Sequence, residues 1–178
     1  MTILSAILLI LVLLIAFLLF LALVIKKEYL ISRDLTVDVS CQQVFDYIRH
    51  IKNQEKYSVW VMQDPNVKIE YFGTDGTVGF RNTWKGNKQA GKGEQEITSL
   101  VDGESMHMEI RFEEPFQNVA QTEMLTKSIA ENQTKVTWIM KGSNKFPLNL
   151  MNIIIDGLLG KDLSKSLTNL KTILEQNK

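Results

Sequence analysis

The sequence predicts an α+β domain, in which an antiparallel sheet is covered by one long C-terminal helix, preceded by a single membrane-spanning helix. Three observations support this fold class. Residues 1–25 carry no charged side chain, and all 20 basic and 20 acidic side chains follow Ile25. From Val67 to Lys141, apolar and polar residues alternate with turn signals between the runs, which is typical of strands joined by hairpins. After Pro147, apolar residues recur at three- and four-residue steps, which is typical of an amphipathic helix.

The uncharged N-terminal run is long enough to cross a bilayer, because as a helix it spans roughly 35 Å at about 1.5 Å per residue. A cleaved secretory signal is the alternative, but it would have a basic start, a shorter apolar stretch and a small-residue cleavage site. Lys26, Lys27 and Arg33 follow the run and no basic residue precedes it. The positive-inside rule therefore predicts a single-pass cell-membrane protein whose C-terminal domain is cytoplasmic.

This interpretation divides the chain into a transmembrane helix at 1–25, a juxtamembrane linker at 26–33 and one domain at 34–178. A length of about 150 residues suits a single domain with its own core. The net charge is zero and no basic block is present, which argues against nucleic-acid binding. One cysteine, Cys41, excludes an internal disulfide and suits a reducing compartment.

The domain is expected to begin with a strand and two short helices. Leu35–Val39 alternates between apolar and polar residues, as a strand does. Ser40 with Gln43 three residues later predicts a capping box at the start of the first helix. A second short helix is expected from about Asn53 to Val61.

About six strands are expected between residues 67 and 141, and their runs lie near 67–71, 78–84, 93–97, 106–112, 119–129 and 134–141. Sequential hairpins make such strands antiparallel, and Asp102-Gly103 is a hairpin signal between two of them. After Pro147, one long helix is expected to run to about Gln176 and to cover the apolar face of the sheet.

The run Ser105–Phe112 places a histidine, a glutamate and an arginine close together in sequence. Successive side chains of a strand point to opposite faces, so the apolar residues at even positions share the core face. His107, Glu109 and Arg111 are therefore predicted to lie on the solvent face of the sheet, without a catalytic role.

Three stretches carry a family resemblance: VSCQQVFDYI at 39–48 with KNQEKYSVW at 52–60, TKVTWIMKG at 134–142 and LSKSLTNLKTILE at 163–175. They resemble the START-like superfamily, also called the SRPBCC or helix-grip family, and within it the polyketide cyclase-like group. The resemblance covers about residues 34–177. It implies a curved antiparallel sheet wrapped around the C-terminal helix, with a deep and mostly apolar cavity between them that binds hydrophobic small molecules or lipids.

Alternation along the strands then gives the residues expected to line such a cavity. They are Tyr71, Phe80, Asn82, Trp84, Gln95, Met106, Met108, Ile110, Trp138 and Met140. Among them, Asn82 and Gln95 are polar, and apolar pockets commonly hold a few polar groups that orient the ligand. The segment Phe146–Gly160 is too apolar for one helical face to bury, so we expect Met151, Ile154 and Leu158 to form the entrance and to touch the bilayer.

No catalytic residue, metal ligand or cofactor motif is predicted. Cys41 has no nearby base, since His50 lies at least two helical turns away, and a zinc site needs at least three well-placed ligands. The leading hypothesis is a membrane-anchored domain that binds or carries an apolar small molecule or lipid. Two alternatives stay open at this point: a cyclase- or aromatase-like enzyme that uses cavity polar groups such as Asn82, and an interaction protein whose cavity is filled by its own side chains.

Overall fold

The N-terminal apolar run forms a helix, α1 (Ile3–Val24), in the computed structural model, which describes residues 2–176. Its mean hydropathy reaches 3.6 over an 18-residue window, and by length and composition it can cross a membrane. Ala22 is the one buried residue of this helix. The helix therefore stands clear of the domain and contacts it at its last turn. The first residue of the predicted transmembrane segment and the last two of the predicted domain lie outside the described residues.

Seven antiparallel strands form one sheet in the order β1-β7-β6-β5-β4-β3-β2. The strands are β1 (Glu28–Val37), β2 (Lys68–Phe72), β3 (Arg81–Lys85), β4 (Lys92–Val101), β5 (Ser105–Glu114), β6 (Asn118–Ala130) and β7 (Gln133–Ser143). The predicted run from residue 78 begins as strand only at Arg81, because Gly76 and Gly79 adopt positive φ angles that belong to a loop.

The predicted linker at 26–33 is wrong over most of its length, because β1 begins at Glu28 and pairs with β7 throughout. Arg33 explains why the strand was not predicted here: it is charged, and it lies on the same face of the strand as the buried Ile31 and Val37. The charged guanidinium of Arg33 is tolerated on this face of the strand because it donates to the Asp156 carboxylate at 3.0 Å. That contact ties β1 to the C-terminal helix.

The expected first helix is present as α2 (Cys41–Ile48), but its predicted capping box is wrong. The Ser40 hydroxyl donates to the side-chain oxygen of Gln43 at 2.8 Å and does not accept a backbone N–H of the first helical turn. Because the Ser40 hydroxyl and the Gln43 amide bind each other, neither side chain caps the free N–H groups at the start of the helix.

The expected second helix is broken at Ser58, after a 3₁₀ turn (Ile51–Asn53), into α3 (Gln54–Tyr57) and α4 (Val59–Met62). The C-terminal helix α5 (Ile155–Gln176) stabilises this break. Asn169 on α5 donates to the Tyr57 carbonyl at 3.1 Å, and the Ser166 hydroxyl accepts the Val59 N–H at 3.0 Å. Backbone groups that a continuous helix would pair internally are thus paired with side chains of α5.

The sequence predicted that the long C-terminal helix begins near Leu148, but in the structure it begins at Ile155. Leu148–Ile153 forms a 3₁₀ turn instead, called the junction turn below. A 3₁₀ helix has three residues per turn, so Asn149 and Asn152 lie above one another and both point at the end of α1.

The core lies between the concave side of the sheet and the helices α2, α3 and α5. On α5, Leu163, Leu167 and Leu170 are fully buried, and they pack into one cluster with Met106 and Met108 of β5. The solvent-face prediction for the same strand is confirmed. Arg111 binds Glu94, Glu96 and Glu109 on the outside of the sheet, at 2.6, 2.7 and 2.7 Å.

Candidate ligand-binding cavity

A cavity of about 270 Å³ lies between the strands β2 to β5 and the helical layer. Its sheet wall is mostly apolar and includes Ile69, Trp84, Ile110 and Phe112. The volume is just below the range of about 300–1,000 Å³ that is common for small-molecule sites. It can hold a small apolar molecule or one end of a longer one.

The helical wall of the cavity is formed by Trp60 and Val61 of α4 and by Leu159 of α5. The break at Ser58 places α4 over the sheet, and two contacts then hold Trp60. Its indole N–H donates to the Asp162 carboxylate at 3.1 Å, and its ring packs edge-on against Trp138 with a centroid distance of 5.8 Å. Because both contacts come from structured elements, the rotamer of Trp60 is defined without a ligand.

The cavity lies at the end of the sheet from which α1 emerges, called the anchor end below. Neighbouring strands are antiparallel, so the start of β1 at Glu28, the end of β7 at Ser143 and the end of β5 at Glu114 share this end. The connections β3–β4 and β5–β6 lie there too, and they contribute Ala90 and Pro115 to the cavity wall. The open part of the fold and α1 are therefore on the same side.

Five amide side chains line the cavity, and three of them lie next to one another: Gln54, Asn82 and Gln95. Gln95 lies directly opposite Asn82 in the sheet and donates to the side-chain oxygen of Gln54 at 2.9 Å. Asn82 is 6% exposed, and its side-chain oxygen has no hydrogen-bond partner within residues 2–176. An unpaired buried carbonyl oxygen costs about 1–3 kcal/mol, so a guest that donates a hydrogen bond to it would be favoured.

Ionisable side chains are scarce around the cavity. Among the described residues, Tyr29 and Glu114 are the two that line it, and both lie at the anchor end. Burial raises the pKa of the Tyr29 phenol, so it stays protonated at neutral pH and can donate a hydrogen bond. Within the described part of the chain, no three His, Cys, Asp or Glu side chains are close enough to hold a metal ion.

Five of the ten residues predicted to line a cavity border this one: Asn82, Trp84, Gln95, Ile110 and Met140. The other five, Tyr71, Phe80, Met106, Met108 and Trp138, belong to or pack against the hydrophobic core and are not among the lining residues. Tyr71 stacks on Phe80 with a centroid distance of 6.0 Å, and its hydroxyl binds Glu55. The Trp138 indole donates to the Thr122 hydroxyl at 2.8 Å inside the core.

The three residues predicted at the entrance, Met151, Ile154 and Leu158, do not line the cavity. Each is about half exposed, and Leu159 reaches the cavity in their place. One residue along a helix turns the side chain by about 100°, so the face of α5 that meets the cavity at Leu159 is adjacent to the face that carries Leu158.

Sequence reasoning missed several lining residues, above all Tyr29, Gln54 and Trp60. Tyr29 falls in the stretch that was interpreted as a linker, although its alternation with Ile31 is a strand signal. Gln54 and Trp60 lie on short helices whose break at Ser58 no local pattern indicates. Cys41, which the sequence analysis considered as a nucleophile, does not line the cavity, and its thiol donates to the Gly103 carbonyl at 3.2 Å.

The comparisons with known proteins place this geometry in a family. Residues 30–175 match the family model described as polyketide cyclase / dehydrase and lipid transport. The chain belongs to that family. The match confirms the START-like resemblance and the helix-grip fold class, and it begins two residues inside β1, where the structure also begins the domain.

Solved structures with the same fold cover nearly the whole domain. Norcoclaurine synthase from Thalictrum flavum, in complex with dopamine and hydroxybenzaldehyde, has a TM-score of 0.67 at 10% identity and covers 87% of this chain and 91% of its own. Ara h 8.0201 has a TM-score of 0.61 at 12% identity, with 84% and 99% covered. A protein from Chromobacterium violaceum has a TM-score of 0.60 at 13% identity, with 82% and 96% covered. These likenesses show the fold. No protein of curated function matches the chain.

Proposed function

We propose that this protein is a membrane-anchored binding or carrier protein for an apolar small molecule or lipid. The observation that carries the proposal is the open, mostly apolar cavity at the anchor end of the sheet. A cavity in this position lies beside the membrane in which an apolar ligand dissolves. The family description, which includes lipid transport, is consistent with such a role.

The wall of the cavity favours an uncharged ligand with one polar group. Gln54, Asn82 and Gln95 offer amide donors and acceptors, and the wall has no cationic side chain among the described residues. A carboxylate or phosphate placed there would be desolvated without a counter-charge, which is strongly unfavourable. A hydroxyl or an amide N–H would donate to the unpaired side-chain oxygen of Asn82, so neutral amphiphiles with such a donor fit better than fatty acids.

Retention of α1 as an anchor is favoured by its contacts with the domain. Asn149 is fully buried, and its side-chain amide donates to the carbonyls of Ala22 and Ile25. Removal of the N-terminal segment as a signal peptide would leave this buried amide without these partners. The basic residues Lys26, Lys27 and Arg33 after the helix support a cytoplasmic position of the domain.

The test is native mass spectrometry of the full chain in nanodiscs, with a variant that fills the cavity and a matched control. Ile110→Trp places a larger side chain in the cavity, and Ile129→Trp makes the same change at an exposed site on β6 that does not line it. We expect an apolar molecule to co-purify in equimolar amount with the wild type and Ile129→Trp, and to be lost from Ile110→Trp. A wild-type protein that carries no ligand and takes up no added neutral lipid would contradict the proposal.

A further inference from the structure

The end of the membrane helix is clamped to the domain by hydrogen bonds. The side-chain amide of Asn149 donates to the Ala22 carbonyl at 2.6 Å and to the Ile25 carbonyl at 2.9 Å. The last four carbonyls of a helix have no partner within the helix, and Ala22 is among the last four residues of α1. Asn149 therefore acts as a C-terminal cap that is supplied from a distant part of the chain.

A second asparagine extends the clamp beyond the helix. The side-chain amide of Asn152 donates to the carbonyls of Lys26 and Lys27, both at 2.9 Å. Asn144 orients it, because the Asn144 side chain donates to the Asn152 side-chain oxygen at 2.7 Å and the Asn144 N–H donates to Lys27 at 2.9 Å. The chain between α1 and β1 thus has its carbonyls bound at each step and is not a flexible tether.

Beside this clamp, exposed apolar side chains lie close together in the sequence, and they are called the junction surface below. It consists of Leu148, Met151, Ile153, Ile154 and Leu158, which are between 46% and 64% exposed. Single exposed apolar residues are common on soluble proteins, but five within eleven consecutive residues form a patch that usually marks an interaction site. Phe116, at 67% exposed, adds a further apolar side chain from the β5–β6 connection at the anchor end.

We propose that the junction surface docks on the bilayer that α1 crosses, so that the domain is held in one fixed orientation with its cavity mouth against the membrane. This inference rests on the proposed anchoring of α1. The occupant is lipid because the junction turn caps the last turn of α1, which places it at the depth where that helix leaves the hydrocarbon. Covering these side chains with acyl chains contributes about 25 cal/mol for each Å² of apolar surface removed from water.

The geometry also gives the ligand a route that avoids water. Pro115 and Leu159 line the cavity, and their sequence neighbours Phe116 and Leu158 are exposed at the anchor end. A neutral amphiphile can therefore pass from the bilayer to the cavity along apolar side chains. A protein on a long flexible tether would instead have to extract the ligand through the aqueous phase.

The experiment measures membrane depth at two matched positions in the full chain. In a Cys41→Ser background, Ile154→Cys and Ile129→Cys are each labelled with a nitroxide and reconstituted in nanodiscs of neutral phospholipid. The two native side chains are 51% and 53% exposed, and Ile129 lies at the opposite end of the sheet. We expect the label at 154 to be accessible to oxygen and protected from a water-soluble nickel complex, and the label at 129 to show the reverse.

A third variant tests the clamp. Asn149→Ala in the Ile154→Cys background should raise the mobility of the label and its accessibility to the nickel complex, while the chain stays in the membrane after a carbonate wash. A label at 154 that is as accessible to nickel as the label at 129, in protein that resists the wash, would overturn the docking surface alone. Loss of the wild-type chain in the wash would instead overturn the anchoring on which the proposed function rests.

Discussion

Asn82 provides a prediction in which removing a polar group stabilises the ligand-free protein. The change is Asn82→Leu, which keeps the number and branching of the side-chain heavy atoms. Asn82 is 6% exposed and its side-chain oxygen is unpaired in the described structure, so the wild type bears the cost of a desolvated amide without a hydrogen bond. Removing that cost should raise the free energy of unfolding by about 1–3 kcal/mol. For a chain of this size that corresponds to about 2–4 °C in Tm for each kcal/mol.

The same substitution should weaken the binding of a ligand that carries a hydroxyl. One hydrogen bond from the ligand to Asn82 contributes about 0.5–1.5 kcal/mol, and about 1.4 kcal/mol corresponds to a tenfold change in Kd. We therefore expect Kd for a long-chain alcohol to rise by about two- to twelvefold. The alkane of equal length, which has no hydroxyl, should bind the variant at least as well as the wild type.

Gln95→Leu is the matched control on the neighbouring strand. Gln95 donates to the Gln54 side-chain oxygen at 2.9 Å, so its loss leaves a buried acceptor unpaired and should lower the free energy of unfolding by about 1–3 kcal/mol. The assay is urea unfolding of ligand-stripped full chain in nanodiscs, followed by the fluorescence of the three tryptophans. If Asn82→Leu and Gln95→Leu are destabilised alike, the reasoning about the unpaired amide is refuted.

Three further predictions concern the core, the outer face and the helix break. Met106→Ala should lower the free energy of unfolding by about 2–5 kcal/mol, because Met106 is fully buried, and should leave equimolar ligand binding intact by native mass spectrometry. The hydrogen bond from Arg111 lowers the pKa of Glu94 below its ordinary value of 4.5, so ionised Glu94 contributes stability above pH 4.5 that is lost as pH falls through the lowered value. In urea unfolding below pH 4.5, Arg111→Met should therefore lose stability less steeply than the wild type, and an unchanged slope would contradict this. Ser166→Ala leaves the Val59 N–H unpaired and should destabilise by about 1–3 kcal/mol in thermal unfolding, whereas the exposed Ser164→Ala should change stability by less than about 0.5 kcal/mol.

Alternation predicts which face of a strand a residue occupies, but not what lies opposite that face. On β5, Met106, Met108 and Ile110 all point inward, as the sequence predicts. Met106 and Met108 are fully buried in the core cluster that contains the leucines of α5, whereas Ile110 faces the cavity. The difference depends on where the helices stop covering the sheet, which is a property of their packing and not of the strand.

Contacts between distant parts of the chain explain the other differences between the predicted and the observed helices. The sequence LNLMN at 148–152 fits an apolar helix, and the partners of its two asparagines lie more than 120 residues earlier in the chain. Helical periodicity therefore predicts α5 correctly from Ile155 onward, where leucines pack on the sheet, and fails where polar contacts with α1 impose a tighter turn. In the same way, the break at Ser58 is stabilised by Ser166 and Asn169, which a local pattern cannot indicate.

The central claim is that an apolar molecule from the membrane occupies the cavity, and photo-crosslinking tests it most directly. The probe is a long-chain alcohol with a diazirine on its terminal carbon, added to full chain in nanodiscs, and the cross-linked peptides are identified by mass spectrometry. The account predicts adducts on the peptides that carry Trp84 and Phe112, which disappear in Ile110→Trp while adducts on α1 remain. Adducts confined to α1 in the wild type would contradict the account, because they would show that the lipid meets the anchor and never enters the domain.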